Sequence, residues 1–181
     1  MNIKMLVGAA PVLTLILAGA AVAQKIAPRP RFTSVYTSLQ RPCVTINGKN
    51  GSDGASICRG PGTYQVRIYY SAAAMYVNAE KKGTKDSFNL ATMDISRDET
   101  LPRLEWRMAG GKPFAVIIRV PKYGDSTPEN PHIGKVIGHD LAIHGLKGFD
   151  SIDLTVDSQE PNANLKARTL ADKAYLASVH E

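Results

Sequence analysis

Catalytic signatures are scarce in this chain. It contains no Cys-x-x-Cys, no His-x-His, no His-Glu-x-x-His and no Gly-x-Ser-x-Gly. The first three absences leave no compact transition-metal site and no paired-thiol redox centre, and the fourth leaves no nucleophile elbow. Glycine clusters at Gly60-x-Gly62 and Gly110-Gly111 lack the lysine and the following helix that a phosphate cradle requires, so they are read as turns. Internal repeats are also missing. The formal charge of +6 is modest, and its basic residues (Arg29, Arg31, Arg41, Lys81, Lys82, Lys85, Arg119, Lys122) are scattered. A nucleic-acid partner would call for a dense basic stripe interleaved with aromatics, so none is expected.

What the chain does have begins at its start. Lys4 gives a short positive segment, Met5 opens an uncharged stretch through Leu13-Thr14-Leu15-Ile16-Leu17, and Ala21-Val22-Ala23 supplies small residues ahead of Gln24. That is the pattern of a secretory signal over residues 1–23. The apolar core is too short for a membrane anchor and Pro11 interrupts it, so no stable membrane insertion is expected after cleavage. The expected location is therefore the periplasm or the extracellular medium.

Two cysteines, Cys43 and Cys58, lie beyond that segment. In an oxidising compartment they are expected to pair. The bond closes a loop of about 15 residues, worth roughly 3 kcal/mol by chain entropy. The enclosed segment from Asn47 to Gly54 is polar and glycine-rich, so a covalent staple has a clear structural purpose there.

Residues 24–31 carry Pro28 and Pro30 and read as an extended lead-in, and 32–181 as a single β-rich domain. Phe32–Leu39 is a candidate strand. Tyr64, Val66, Ile68 and Tyr70 alternate with Gln65, Arg67 and Tyr69, the period of a half-buried strand, and Met75, Val77 and Ala79 continue or partner it. A hairpin turns at Ala109-Gly110-Gly111-Lys112. Leu104, Trp106 and Met108 share its core face with Phe114, Val116, Ile118 and Val120, and Glu105 and Arg107 lie opposite. Further strands are expected near Lys135–Ile143 and Ser151–Val156. Ala163, Ala167, Leu170, Ala174 and Ala177 then recur at helical spacing over about 162–179, with Asn162 or Asn164 placed to cap the start. The expected fold is mainly β: an antiparallel sandwich or strongly curved sheet of roughly seven to nine strands with one C-terminal α-helix.

Several stretches resemble an uncharacterised family of small exported proteins of Gram-negative bacteria. They are Tyr36-Thr37-Ser38-Leu39 ahead of Cys43; Cys58-Arg59-Gly60-Pro61-Gly62-Thr63-Tyr64; and Trp106-Arg107 followed by Gly111-Lys112-Pro113-Phe114-Ala115-Val116-Ile117-Ile118-Arg119. The order closes with Val156-Asp157, Pro161-Asn162-Ala163-Asn164, Ala167-Arg168 and Leu170-Ala171-Asp172-Lys173-Ala174. The resemblance implies export and the first disulfide, and no activity. Members often carry further cysteines before the last strand and after the final helix. Lys147-Gly148-Phe149 and Val179-His180-Glu181 stand there in this chain, so a second disulfide is absent and the helix end is the more easily frayed.

The functional expectation is a non-enzymatic binding module for an envelope protein or polymer, with no cofactor and no metal. Its candidate surface comprises Tyr69, Tyr76, Tyr123, Asp125 and His132, together with the stapled loop 47–57 and the proline-rich loop 121–132. The alternative is a small exported hydrolase of a wall or glycan substrate using Asp94, Asp98, Glu99 or the histidines, which requires two such groups converging in a cleft.

Overall fold

The computed structural model describes residues 30–40, 43–46, 54–71, 74–94, 102–125 and 134–179. The expected signal segment, most of the lead-in, His132, Asp98 and Glu99 lie outside them. The described residues form ten strands and one helix. In chain order the strands are β1 (Phe32–Ser38), β2 (Val44–Ile46), β3 (Ala55–Arg59), β4 (Tyr64–Tyr70), β5 (Ala74–Lys81), β6 (Ser87–Asp94), β7 (Arg103–Ala109), β8 (Lys112–Tyr123), β9 (Val136–Gly145) and β10 (Asp153–Asp157), followed by α1 (Ala163–Ser178). Ten exceeds the seven to nine expected. The difference lies in β2, β3 and β6, short or irregularly patterned segments beside turns that periodicity alone does not mark.

Two five-stranded antiparallel sheets face each other. The first has the order β1-β7-β8-β9-β10, and the second is the meander β2-β3-β4-β5-β6. The chain thus opens one sheet with β1, builds all of the other, and returns with β7 beside β1, pairing Val35 with Trp106. The Ala109–Lys112 connection is a two-residue turn with Gly110 at φ 56° and Gly111 at φ 81°, the left-handed pair of a type I′ hairpin.

Between the sheets Val66, Ile68, Val77 and Ala79 meet Leu104, Trp106, Val116 and Ile118, all removed from solvent. Trp106 anchors this core. Its Nε1 donates to Thr37 Oγ1 at 2.9 Å, and Thr37 Oγ1 donates to the Arg59 carbonyl at 3.1 Å, so the buried indole N–H is satisfied and both sheets are tied together.

The outer face of the first sheet holds a second core against α1. Ala163, Ala167 and Ala171, at i, i+4, i+8 spacing, bring the helix close to Ile117, Leu141, Ile143 and Val156. The expected stripe shifts accordingly: Ala171 is buried and Ala177 is exposed. Phe114 also belongs here, not on the inner face expected for it. The β7–β8 register slips between Arg107 and Met108, pairing Arg107 with Ala115 and Met108 with Pro113, which leaves Phe114 as the extra residue of a bulge. Phe114 then joins Phe32, Phe149 and Tyr175 in an aromatic cluster, with Phe114 and Tyr175 centroids 4.8 Å apart. Tyr175 thereby ties the last turn of α1 to the sheet.

Glu105 and Arg107 do lie opposite Trp106, yet α1 covers them, leaving them 7% and 5% exposed. Two residues of strand span about 6.7 Å and four residues of helix about 6 Å, so Glu105 and Arg107 match Arg168 and Asp172. Arg168 Nε donates to Glu105 Oε1 at 2.6 Å, and Arg107 Nη2 donates to Asp172 Oδ2 at 2.7 Å. Two guanidinium–carboxylate forks of opposite polarity therefore clamp the helix to β7 and fix its register. Capping contributes less than expected. Asn162 occupies the N-cap at φ 58° and makes no side-chain cap hydrogen bond.

Candidate binding surface

Among the described residues, no helix covers the outer face of the second sheet. Antiparallel register sets the side chains of that face in rows across the strands. One row runs Ile46, Ala55, Tyr69, Tyr76 and Thr92. Its neighbour runs Val44, Ile57, Arg67, Asn78 and Asn89. Tyr69 and Tyr76, singled out in the sequence, are thus direct cross-strand partners, 40% and 38% exposed. Beside them, at the edge strand next to Cys43, Val44 is 68% and Ile46 44% exposed. Two tyrosines and two aliphatic side chains on one sheet face form a mixed apolar and aromatic patch.

Tyr69 is held in place by its neighbours. The Arg67 guanidinium sits 5.7 Å from its ring centroid, and the Tyr69 hydroxyl donates to Glu80 Oε1 at 3.2 Å. Glu80 also accepts from Gln65 at 3.0 Å and from Arg67 Nε at 2.8 Å. Burial opposes the Glu80 charge, but the hydrogen bonds from Gln65 and Arg67 and the positive charge of Arg67 outweigh it and hold the carboxyl below its ordinary range. Burial and the adjacent Glu80 charge raise the Tyr69 phenol above its ordinary value, so it stays a donor. The Arg67–Glu80 pair on this face is thus internally satisfied and Tyr69 is ordered by it, while Arg59, in the next row with Gln65 and Glu80, stays exposed.

The other expected surface residues lie elsewhere. Tyr123 ends β8, and its hydroxyl accepts the Asp94 N–H at 3.1 Å, joining the two sheets at their margin. Asp125 is exposed just beyond, where Gly124 N–H donates to the Lys135 carbonyl at 2.9 Å and closes the base of the proline-rich loop. Gly134 packs against Gly124 there so closely that a Cβ would lie 1.8 Å from the Gly124 oxygen. Cys43 and Cys58 are disulfide-bonded, with Cα atoms 4.2 Å apart, at the root of the stapled loop. Periodicity marked Tyr69 and Tyr76, but the contribution of Val44 and Ile46 depends on pairing with β3, which the sequence pattern does not specify.

Of the groups named for hydrolysis, His144 Nδ1 lies 3.3 Å from Asp153 Oδ1 on neighbouring strands, with the Asp153 carboxylate largely in solvent. Asp140 and Asp157 are cross-strand neighbours, but Lys122 Nζ bridges them at 3.0 and 3.1 Å. The Gln159 backbone N–H, and then Lys122, hold the Asp157 carboxyl below its usual value, the reverse of what a general acid needs. No group of three or more His, Cys, Asp or Glu side chains among the described residues is arranged to hold a metal ion. No helix among them is long and apolar enough to cross a membrane. No protein-family model, curated protein or solved structure matches the chain.

Proposed function

We propose that this protein is an exported, non-enzymatic binding module that engages an envelope protein or polymer through the outer face of its second sheet. The observation that carries the reading is the exposed Tyr69–Tyr76 pair in register with Ile46, on a face with no covering element among the described residues. Tyrosine is favoured at interface centres because it brings large apolar area and a polar tip at low entropic cost. Export is supported by the Cys43–Cys58 disulfide, a bond that persists in oxidising compartments, and by the signal pattern of residues 1–23.

Immobilised chain from Gln24 onward, disulfide intact, is challenged in parallel with solubilised envelope proteins and with purified wall polymer, at low and at moderate salt. The reading expects retention of a partner at both salt levels, because the contact is made by the apolar and aromatic surface of Tyr69, Tyr76 and Ile46, and loss of that retention in the Tyr69→Ala/Tyr76→Ala variant. A double variant that retains the same partner at the same affinity overturns it. N-terminal sequencing of the protein recovered from the envelope fraction tests the export claim separately, with Gln24 as the expected first residue.

A further inference from the structure

We infer that a pocket on the opposite side of the molecule binds an oxyanion, a carboxylate or phosphate carried on a small apolar group. The pocket, about 220 Å³, lies on the outer face of the first sheet beside the first turn of α1. Tyr36, Arg103, Arg119, Asn164 and Arg168 form much of its wall, and Ile117 and Leu141 belong to its lining. These residues come from four adjacent strands and the helix. Register sets Tyr36 against Glu105, Glu105 against Ile117, and Arg119 against Leu141, so alternate residues of β1, β7, β8 and β9 open onto one concavity.

The charge is not balanced there. Glu105 supplies the only carboxylate of the lining, and it is already engaged by Arg168, through Nε at 2.6 Å and Nη2 at 3.1 Å, and by the Ser34 hydroxyl at 2.5 Å. Arg103 and Arg119 form no ion pair with any described residue; Arg103 instead lies 5.9 Å from the centroid of the Tyr36 ring. Two guanidinium groups thus face the concavity without counter-charge, and planar guanidinium forks match carboxylate and phosphate oxygens. The helix adds to this. Its first turn holds no acidic residue, the Asn162 side chain caps nothing, and the Asn164 and Leu165 N–H groups have no acceptor among the described residues. Unpartnered N–H groups at a helix start favour an anion, and here they accompany two unneutralised arginines. Ile117 and Leu141, nearly removed from solvent, supply the apolar contact for the carbon part of the ligand.

This site is independent of the tyrosine face, which belongs to the other sheet. The test follows the arginine Nε–Hε resonances of the chain from Gln24, disulfide intact, at constant ionic strength in chloride. The probes are inorganic phosphate, benzoate and phenyl phosphate. The Arg103 and Arg119 resonances are expected to move saturably, with phenyl phosphate or benzoate saturating at roughly tenfold lower concentration than inorganic phosphate because the ring reaches the apolar floor. Saturation by phenyl phosphate alone assigns a phosphate ligand, and saturation by benzoate alone a carboxylate. Arg103→Gln/Arg119→Gln should abolish saturation while the backbone resonances of α1 stay in place, since the Glu105–Arg168 fork is untouched. Shifts that rise linearly for all three probes, shifts equal to those of the exposed Arg59, or undiminished binding by the double variant would each overturn the assignment.

Discussion

The two sheets are built from the same antiparallel ladder but are finished differently. The first is covered on both faces along its central strands: Trp106, Val116 and Ile118 turn toward the inter-sheet core, and Ile117, Leu141 and Ile143 toward α1. Among the described residues the second is covered on one face only, with Tyr69, Tyr76 and Ile46 left in solvent. A polar residue therefore has a different meaning in each. Glu105 and Arg107 alternate with a core tryptophan just as Gln65 and Arg67 alternate with Val66, yet the first pair is shut beneath a helix and the second pair lies at the surface. Alternation reports which side of a strand a residue occupies; what covers that side is decided elsewhere in the chain.

Perturbing the shared core should produce the largest effect. Trp106→Ala removes the fully buried anchor and the N–H that satisfies Thr37, and should cost about 3–5 kcal/mol in urea unfolding while weakening both sheets together. Arg107→Ala should cost about 3 kcal/mol, because the partly buried Asp172 loses its partner and Glu105 and Ser34 lose the guanidinium beside them. Its effect is local to the first sheet: hydrogen exchange should accelerate across α1 and leave β4 and β5 protected. A paired Arg107→Met/Asp172→Leu variant should recover most of that stability, since removing both charges leaves no orphan. Cys43→Ser should lower stability by roughly 2–3 kcal/mol, with the loss centred on β2 and β3 of the second sheet. An unchanged melting curve under non-reducing conditions would contradict the stapling role.

Acidification sharpens the comparison on the second sheet. Glu80 is held below its ordinary pKa of 4.5 in the folded chain, so its contribution is present above that value and is lost as pH falls through the folded pKa. Thermal scans between neutral pH and pH about 3 should show a decline that Glu80→Gln flattens. The smallest stability effect belongs to the exposed tyrosines. Tyr76→Ala should shift unfolding by less than about 1 kcal/mol, the range of a cross-strand aromatic pair on a solvated face.

Much of this was legible in the residues. The alternation from Tyr64 to Tyr70 corresponds to β4 residue by residue, the Gly110-Gly111 pair marks a two-residue hairpin, and the alanine spacing locates α1. Three features were not. β2 and β6 carry too few alternating apolar residues to show a period. The bulge that turns Phe114 toward the helix is a property of pairing rather than of local sequence. The forks joining Glu105 to Arg168 and Arg107 to Asp172 bridge 63 and 65 residues, and no short window contains both partners. The candidate surface divides in the same way: Tyr69 and Tyr76 are visible from periodicity, whereas the meeting of Arg103, Arg119 and Arg168 arises from the sheet order and the helix docked on it.

Tyrosine nitration read by mass spectrometry, with and without solubilised envelope extract, tests the central contrast most directly. Tyr36 is 48% exposed on the first sheet, comparable to Tyr69 and Tyr76 on the second, and serves as an internal control once the extract is dialysed free of the small anions that the pocket beside it would bind. Tyr36, Tyr69 and Tyr76 should all react in the isolated protein, and extract should protect Tyr69 and Tyr76 while Tyr36 stays reactive. Protection of Tyr36 alone, or equal reactivity of all three with and without extract, would contradict the assignment of the open sheet face as the partner surface.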